Sequence, residues 1–363
     1  MTTREQEVLE LIKKNPQISQ QELADTLGIT RSSVAVHITN LMKKGLILGK
    51  GYLLQEQNYV VVIGGANMDI QGFSKNRFRL KDSNPGTINL SLGGVGRNIA
   101  ENLAKLDVDV KLLSALGEDL HGKKILDECR KSGIDMSHCY FSTDTPTSTY
   151  LCIIDDQGDM AAAIADMEIH EKISIDFLRE KSHLIQNASL VVLDTNLCSE
   201  TLTFLLQSFP DTTFFLEPVS TAKSERVREH IGAFHTIKPN RLEAEALSGI
   251  SIATKEDLRK AANYFLKKGV QRVFISLGEE GVYYGDPHEQ SILIPPTLSV
   301  VNATGAGDAF MAALIYCHME QIPLKETASF AAAASCLALS HEDTIHPLMN
   351  LENIERKKRE LKL

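Results

Sequence analysis

The sequence has no Cys-x-x-Cys pair; its six cysteines, at 129, 139, 152, 198, 317 and 336, are scattered over 363 residues. That spacing argues against a zinc site or a disulfide framework and fits a reducing cytoplasm. No apolar run approaches the ~20 residues of a membrane span. The opening Met-Thr-Thr-Arg-Glu is not a signal peptide, so a cytoplasmic protein with no membrane partner is expected. The eleven histidines lack metal-ligand spacing, and His121, His318 and His346 read as surface or packing residues. No Gly-x-x-x-x-Gly-Lys-Ser/Thr segment occurs, which speaks against a P-loop, and Gly94-Val95-Gly96-Arg97-Asn98-Ile99 lacks the third glycine of a dinucleotide fingerprint. Positive charge is also short: the net charge is −9, about +1 over residues 1–57 and about −10 over the rest. An acidic body is a poor general nucleic-acid binder, so any DNA contact must come from the first segment.

That segment, residues 1–56, reads as three short helices and a hairpin. Thr3 can cap a first helix with Val8, Leu9, Leu11 and Ile12 inward, ending at Asn15-Pro16. Ser19-Gln20-Gln21-Glu22 is a capping box for a second helix, closed by Gly28. Thr30 caps a third, whose apolar stripe is Val34, Ile38, Leu41 and Met42. Two helices joined by so tight a turn form a helix-turn-helix, and Gly49-Lys50-Gly51 suggests a wing. A DNA-binding role puts Arg31, Ser32, Ser33, His37, Asn40 and Lys43 at the major groove and Lys50 on a phosphate; a helical dimerisation module is the alternative. The whole segment resembles bacterial winged-helix regulators. Its near-neutral charge implies weak nonspecific affinity, so useful binding calls for a dimer on a paired site.

From Tyr59 onward, strand-like runs at 59–64, 108–114, 189–194, 212–217, 234–238 and 271–276 alternate with helical patterns at 95–106, 120–131, 199–208, 240–247 and 254–268. The alternation indicates an α/β fold, a doubly wound and mostly parallel sheet occupying 59–363. Residues 70–92 and 147–165 look like extra strands, a small β-sheet lid suited to excluding water.

The chemistry concentrates near the C-terminal end. In Asn302-Ala303-Thr304-Gly305-Ala306-Gly307-Asp308, the glycines allow close backbone approach and the following helix aims free N–H groups at an anion. A transferring phosphoryl group is such an anion, and Asp308 would accept the proton of an attacking hydroxyl. The alternative is a Gly-rich turn with Asp308 as a helix-cap acid.

This motif resembles the signature of the ribokinase-like (PfkB) carbohydrate kinase family, and the resemblance spans roughly residues 59–345. Its other elements are Gly64-Gly65-Ala66-Asn67-Met68-Asp69, Gly93-Gly94-Val95-Gly96-Arg97-Asn98, Gly117-Glu118-Asp119-Leu120-His121-Gly122, Asn240-Arg241-Leu242-Glu243 and Ser276-Leu277-Gly278-Glu279-Glu280-Gly281. The resemblance implies catalysis by Asp308 with Gly305, Ala306 and Gly307 as the anion hole, and hydroxyl binding by Asn67, Asp69, Gly93, Gly94 and Asn98. It implies ATP and Mg²⁺ on Asn240, Glu243, Ser276, Gly278, Gly281 and Thr304, with the metal near Asn240 and Glu243 and mostly water-bound. A plain N-cap for Asn240, a capping-box partner for Glu243 and a turn acid for Asp69 are the competing readings.

Two departures bear on substrate. Ribokinases proper have a lysine where Val95 stands, and an apolar residue suits a base better than a free sugar. That, with Glu217-Pro218-Val219-Ser220, makes the chain similar to the pseudouridine kinase branch. A kinase of ribose or another sugar, and a regulator using the fold as a ligand sensor, are the alternatives. Asn302 stands where many relatives have an aspartate that helps bind a monovalent cation, which leaves K⁺ activation open. Relatives pair through the lid edge, so a homodimer is expected.

Overall fold

The structure, a computed structural model, describes residues 1–49, 58–296 and 300–363. Helices Thr3–Lys14, Gln20–Leu27 and Arg31–Lys43 enclose a core of Val8, Leu9, Ile12, Leu23, Ala24, Val34, Ile38 and Leu41. The first cap falls on Thr2, one residue before the expected Thr3, because Thr2 and Glu5 close a reciprocal capping box. Ser19 with Glu22, Thr30 and the left-handed Gly28 act as anticipated. Met42 departs from the expected stripe and is 44% exposed, since Leu41 alone at that turn faces the core. Lys50, and with it the tip of the expected wing, lies outside the described residues. The unit's last turn abuts the helix Ser182–Gln186, where Asn187 Nδ2 donates to the Lys44 carbonyl at 3.1 Å.

The main sheet has the order Gln290–Leu293, Val282–Gly285, Arg272–Ser276, Thr236–Ile237, Phe214–Glu217, Leu190–Asp194, Tyr59–Ile63, Asp109–Leu113. Its strands from Arg272–Ser276 to Asp109–Leu113 run parallel, and Tyr59–Ile63 and Leu190–Asp194 are buried throughout. Helices cover both faces, so these strands need no polar side, and their sequences are unbroken apolar runs. The two antiparallel edge strands were not anticipated. They are four residues each and lie among Gly281, Gly285 and Pro287, so neither shows a sustained period.

The lid forms a second sheet, Gly86–Gly93, Asn67–Ser74, Thr149–Ile154, Met160–Asp166. Its strands begin earlier and end later than the expected 70–92, and the added residues matter. The register pairs Asn67 with Gly93 and Asp69 with Ser91, so expected hydroxyl-binding residues sit where the lid joins the main sheet. No helix among the described residues is long and apolar enough to cross a membrane.

Candidate active site

Every parallel strand delivers its C-terminal end to one edge of the sheet, the usual ligand edge of an open α/β sheet. Gly64, Asp194, Glu217, Lys238 and Ser276 all stand at or just past such ends. Opposite them, the helix Ala306–Met319 begins with Gly305 as its N-cap in the left-handed region, at φ 81°. The N–H groups of Ala306, Gly307 and Asp308 have no partner within the helix, which leaves an anion hole. Asp308 is buried, whereas Gly307 is open to solvent and Thr304 is exposed.

Asn98 Nδ2 donates to Asp308 Oδ2 at 2.7 Å, joining the two glycine motifs across 210 residues. The Asn98 amide is oriented in turn by Arg97, whose Nε donates to Asn98 Oδ1 at 3.2 Å, with Nη2 donating to the same oxygen. Arg97 Nη1 is held by Glu101 at 2.6 Å. Arg97 is thus a buried support for Asn98. Burial pushes the Asp308 carboxyl up to about 6, against the pull of Asn98, Lys238 and Arg97, with Asp194 adding to the rise. A carboxylate so placed is ionised near neutral pH yet basic enough to take a hydroxyl proton.

The residues expected to meet the acceptor rest on two close glycine approaches. A Cβ on Gly93 would meet Asp69 Oδ2 at 2.2 Å, and one on Gly94, at φ 96°, would meet the Gly65 carbonyl at 2.4 Å. Asn67 Nδ2 donates to Asp69 Oδ1 at 2.6 Å. Burial raises the pKa of Asp69, opposed by Asn67 and Arg97. Asp194 stitches the two loops together: its Oδ2 accepts from Gly65 N at 2.8 Å and from Gly96 N at 3.0 Å. Sequence reasoning assigned Asp194 no role. Its signal was present, an acid closing the apolar strand Leu190–Asp194.

Among the residues expected to meet the nucleotide, Asn240 and Ser276 form a parallel bridge. Asn240 Oδ1 accepts from Glu243 N at 2.9 Å and Glu243 Oε2 accepts from Asn240 N at 2.8 Å. The capping-box geometry weighed for this pair is therefore present, and Glu243 is buried. Gly278 and Gly281 both have positive φ; a Cβ on Gly281 would meet the Leu293 carbonyl at 2.1 Å, whereas Gly278 faces open space. Asn302 bridges its loop to the next: its amide donates to the Glu342 carbonyl at 2.7 Å, and its Oδ1 accepts from Thr304 N at 2.9 Å. Among the described residues no cluster of three or more His, Cys, Asp or Glu is arranged to hold a metal. Two hollows of about 580 and 370 Å³ lie against the helix Lys255–Lys268, apart from Asp308.

In the helical unit, Arg31 and Ser32 are exposed at the start of the third helix, and Ser33 and His37 are half-buried beside them. Thr30 Oγ1 lies 2.9 Å from the hydroxyls of both Ser32 and Ser33, so part of their hydrogen bonding is used within the cap.

Over residues 57–351 the chain matches the pfkB family of carbohydrate kinases, and over residues 1–47 it matches winged helix-turn-helix DNA-binding domains. The fold and the match define a ribokinase-like phosphotransferase with an alcohol group as acceptor. The chain belongs to the pfkB family. It is 39% identical over 354 residues to the uncharacterized sugar kinase YeiI of Escherichia coli K12, covering 97% of this chain and 98% of that protein. It is 41% identical over 302 residues to the pseudouridine kinase of the same organism, covering 83% of this chain and 96% of that protein. The structure of Arabidopsis thaliana ribokinase complexed with ribose and ATP superposes with a TM-score of 0.72 at 24% identity, over 83% of this chain and 99% of that one, a likeness of fold.

Proposed function

We propose that the protein transfers the γ-phosphate of ATP to the 5′-hydroxyl of a nucleoside, pseudouridine first among them, with Asp308 as the general base. The observation that carries the chemistry is the buried Asp308 carboxylate, held by Asn98 at 2.7 Å and poised at about 6 beside the free N–H groups of the Ala306–Met319 helix. Asp308 takes the hydroxyl proton as the oxygen attacks, and the N–H groups at Ala306 and Gly307 stabilise the charge on the transferring group. Asp69, Asn67 and Asn98, with Gly93 and Gly94, supply directional partners for sugar hydroxyls. Ser276, Gly278, Gly281 and Thr304 border the nucleotide.

Mg²⁺ suits the oxygen donors of Asn240 and Glu243, a pair that fits a largely hydrated ion rather than a cage of protein ligands. Asn240 and Glu243 would hold it through its waters, and when bound it supplies neutralisation of the phosphate charge. Asn302 makes with its own amide the loop contact that an aspartate could not donate, which favours activity without K⁺. Similarity to the Escherichia coli pseudouridine kinase supports the acceptor, as does the half-buried apolar Val95 beside Gly94.

A panel of nucleosides and free sugars, assayed for ATP-dependent phosphorylation with and without K⁺, tests this reading. Pseudouridine should give the highest kcat/KM, and K⁺ should change it little. Preference for ribose would sink the nucleoside assignment. No turnover on any acceptor, with ligands altering DNA binding instead, would favour a sensor.

A second reading adds to the first. Arg31 and Ser32 stand exposed at the start of the third helix, in a domain matched to winged helix-turn-helix DNA-binding domains, so we assign this face, with Ser33 and His37, to duplex DNA. Exposed Ile88, Met160 and Ile164 on the lid support a homodimer, which would present two such faces. Selection from a randomised duplex library should yield a paired site, and Arg31→Ala should weaken its binding by about 1–3 kcal/mol. Failure of the full-length protein to enrich any sequence would remove this role.

A further inference from the structure

The reaction as derived leaves one buried cation without a task. Lys238 follows the strand Thr236–Ile237 and is 5% exposed. Its Nζ lies 3.0 Å from Glu217 Oε2, at the end of the neighbouring strand Phe214–Glu217. The contact is a buried ion pair. On its other side the same Nζ lies 3.3 Å from where a Cβ on Gly307 would stand. The ammonium is therefore at the Gly307 lip of the anion hole, and Glu217, Glu243 and Asp308 all act on it.

A purely structural pair fits this poorly. Burying two charges costs about as much as their attraction returns, and apolar residues of similar size often serve stability as well or better. An ammonium has three donors, and among the described residues Lys238 Nζ has a single ion-pair partner, Glu217. The backbone past Glu217 is strained as well: Val219 sits at φ 63°, while Thr195 Oγ1 donates to the Pro218 carbonyl. For a β-branched residue that is a true outlier, and such strain gathers at functional sites.

We propose that Lys238 is a further catalytic residue, the cation that meets the phosphoryl group at the Gly305–Gly307 turn, with Glu217 as the positioning residue that parks it there. This rests on the phosphoryl-transfer reading above. The acceptor oxygen–phosphorus bond forms as the bond from phosphorus to the β,γ-bridging oxygen breaks. The hydroxyl proton goes to Asp308, and the electron pair leaves with ADP. Lys238 gives up no proton; it stabilises charge on the oxygens in transit from a buried position.

The test uses the full-length protein and two readouts. Lys238→Met should lower kcat by about 10²–10³-fold, the scale of a lost preorganised donor, with the acceptor KM little changed. Lys238→Arg should recover at least about tenfold of that loss, since it keeps the charge. Glu217→Gln should lower kcat by a smaller factor. Independently of any acceptor, Lys238→Met should bind ADP as the wild type does but bind ADP with aluminium fluoride, a mimic of the phosphoryl in flight, about 10²-fold more weakly. Turnover close to wild type, or equal losses for ADP and the mimic, would overturn the assignment and mark the pair as structural. If Lys238→Met does not fold, Lys238→Met with Glu217→Met, which leaves no stranded charge, is judged by the same criteria. A wild type that binds neither ADP nor the mimic would refute the kinase reading itself, an outcome distinct from failure of Lys238 alone.

Discussion

Asp308→Asn is expected to reduce turnover by about 10²–10⁴-fold, the range for a lost general base, while leaving nucleotide affinity close to wild type. The isosteric amide keeps the Asn98 neighbour and the helix start, so the loss isolates proton acceptance. The accompanying pH dependence has a definite sign. Asp308 works only as the carboxylate, and burial has raised its pKa to about 6, so activity should fall as pH drops through about 6. Lys238, Arg97 and Asn98 oppose that rise and Asp194 supports it, so a change at any of them should move the acidic limb. In Asp308→Asn the limb should vanish from the residual rate. A wild-type profile flat between pH 5 and 7 would exclude Asp308 as the base.

Gly305→Ala should rank next. The residue is at φ 81°, and its Cβ would stand 2.1 Å from the Thr344 carbonyl and 2.9 Å from Thr344 Cγ2. Neither the backbone nor the neighbouring chain can yield cheaply. The left-handed strain alone costs about 1–3 kcal/mol. Relief must shift the start of the Ala306–Met319 helix, and a ~1 Å displacement of the anion hole costs about 10²-fold in rate. Gly307→Ala is the control two residues away. Its Cβ would meet only Lys238 Nζ at 3.3 Å, the far end of a flexible side chain, so its effect should be smaller in both rate and unfolding midpoint. Equal losses at the two positions, read by kcat and by denaturant unfolding, would mean that backbone geometry at Gly305 is not the cause.

Much of this was legible one segment at a time. Tyr59–Ile63 and Leu190–Asp194 announce buried parallel strands because helices on both faces make every side chain apolar. Ser19 with Glu22 is read from a three-residue spacing because a capping box is a local bond pattern. The Gly305–Asp308 segment is legible for the same reason, since glycine freedom and a helix start are both properties of a few adjacent residues. The edge strands Val282–Gly285 and Gln290–Leu293 escaped, being too short for a period to register. The outward turn of Met42 escaped as well, because only the bundle decides how wide its apolar stripe must be.

The sequence by itself determined the class of fold, the order of its elements, the glycine turn that leads into Asp308, and the winged-helix domain that accompanies them. All of these rest on interactions closed within about one turn or one strand. Only the tertiary structure decided that Asn98 grips Asp308, that Asp194 ties Gly65 to Gly96, and that Lys238 stands between Glu217 and Gly307. Those pairings join residues that the chain separates widely, and the strand order alone brings them to one edge. Burial there also raises the pKa values of Asp308 and Glu217, a desolvation that no local spacing encodes.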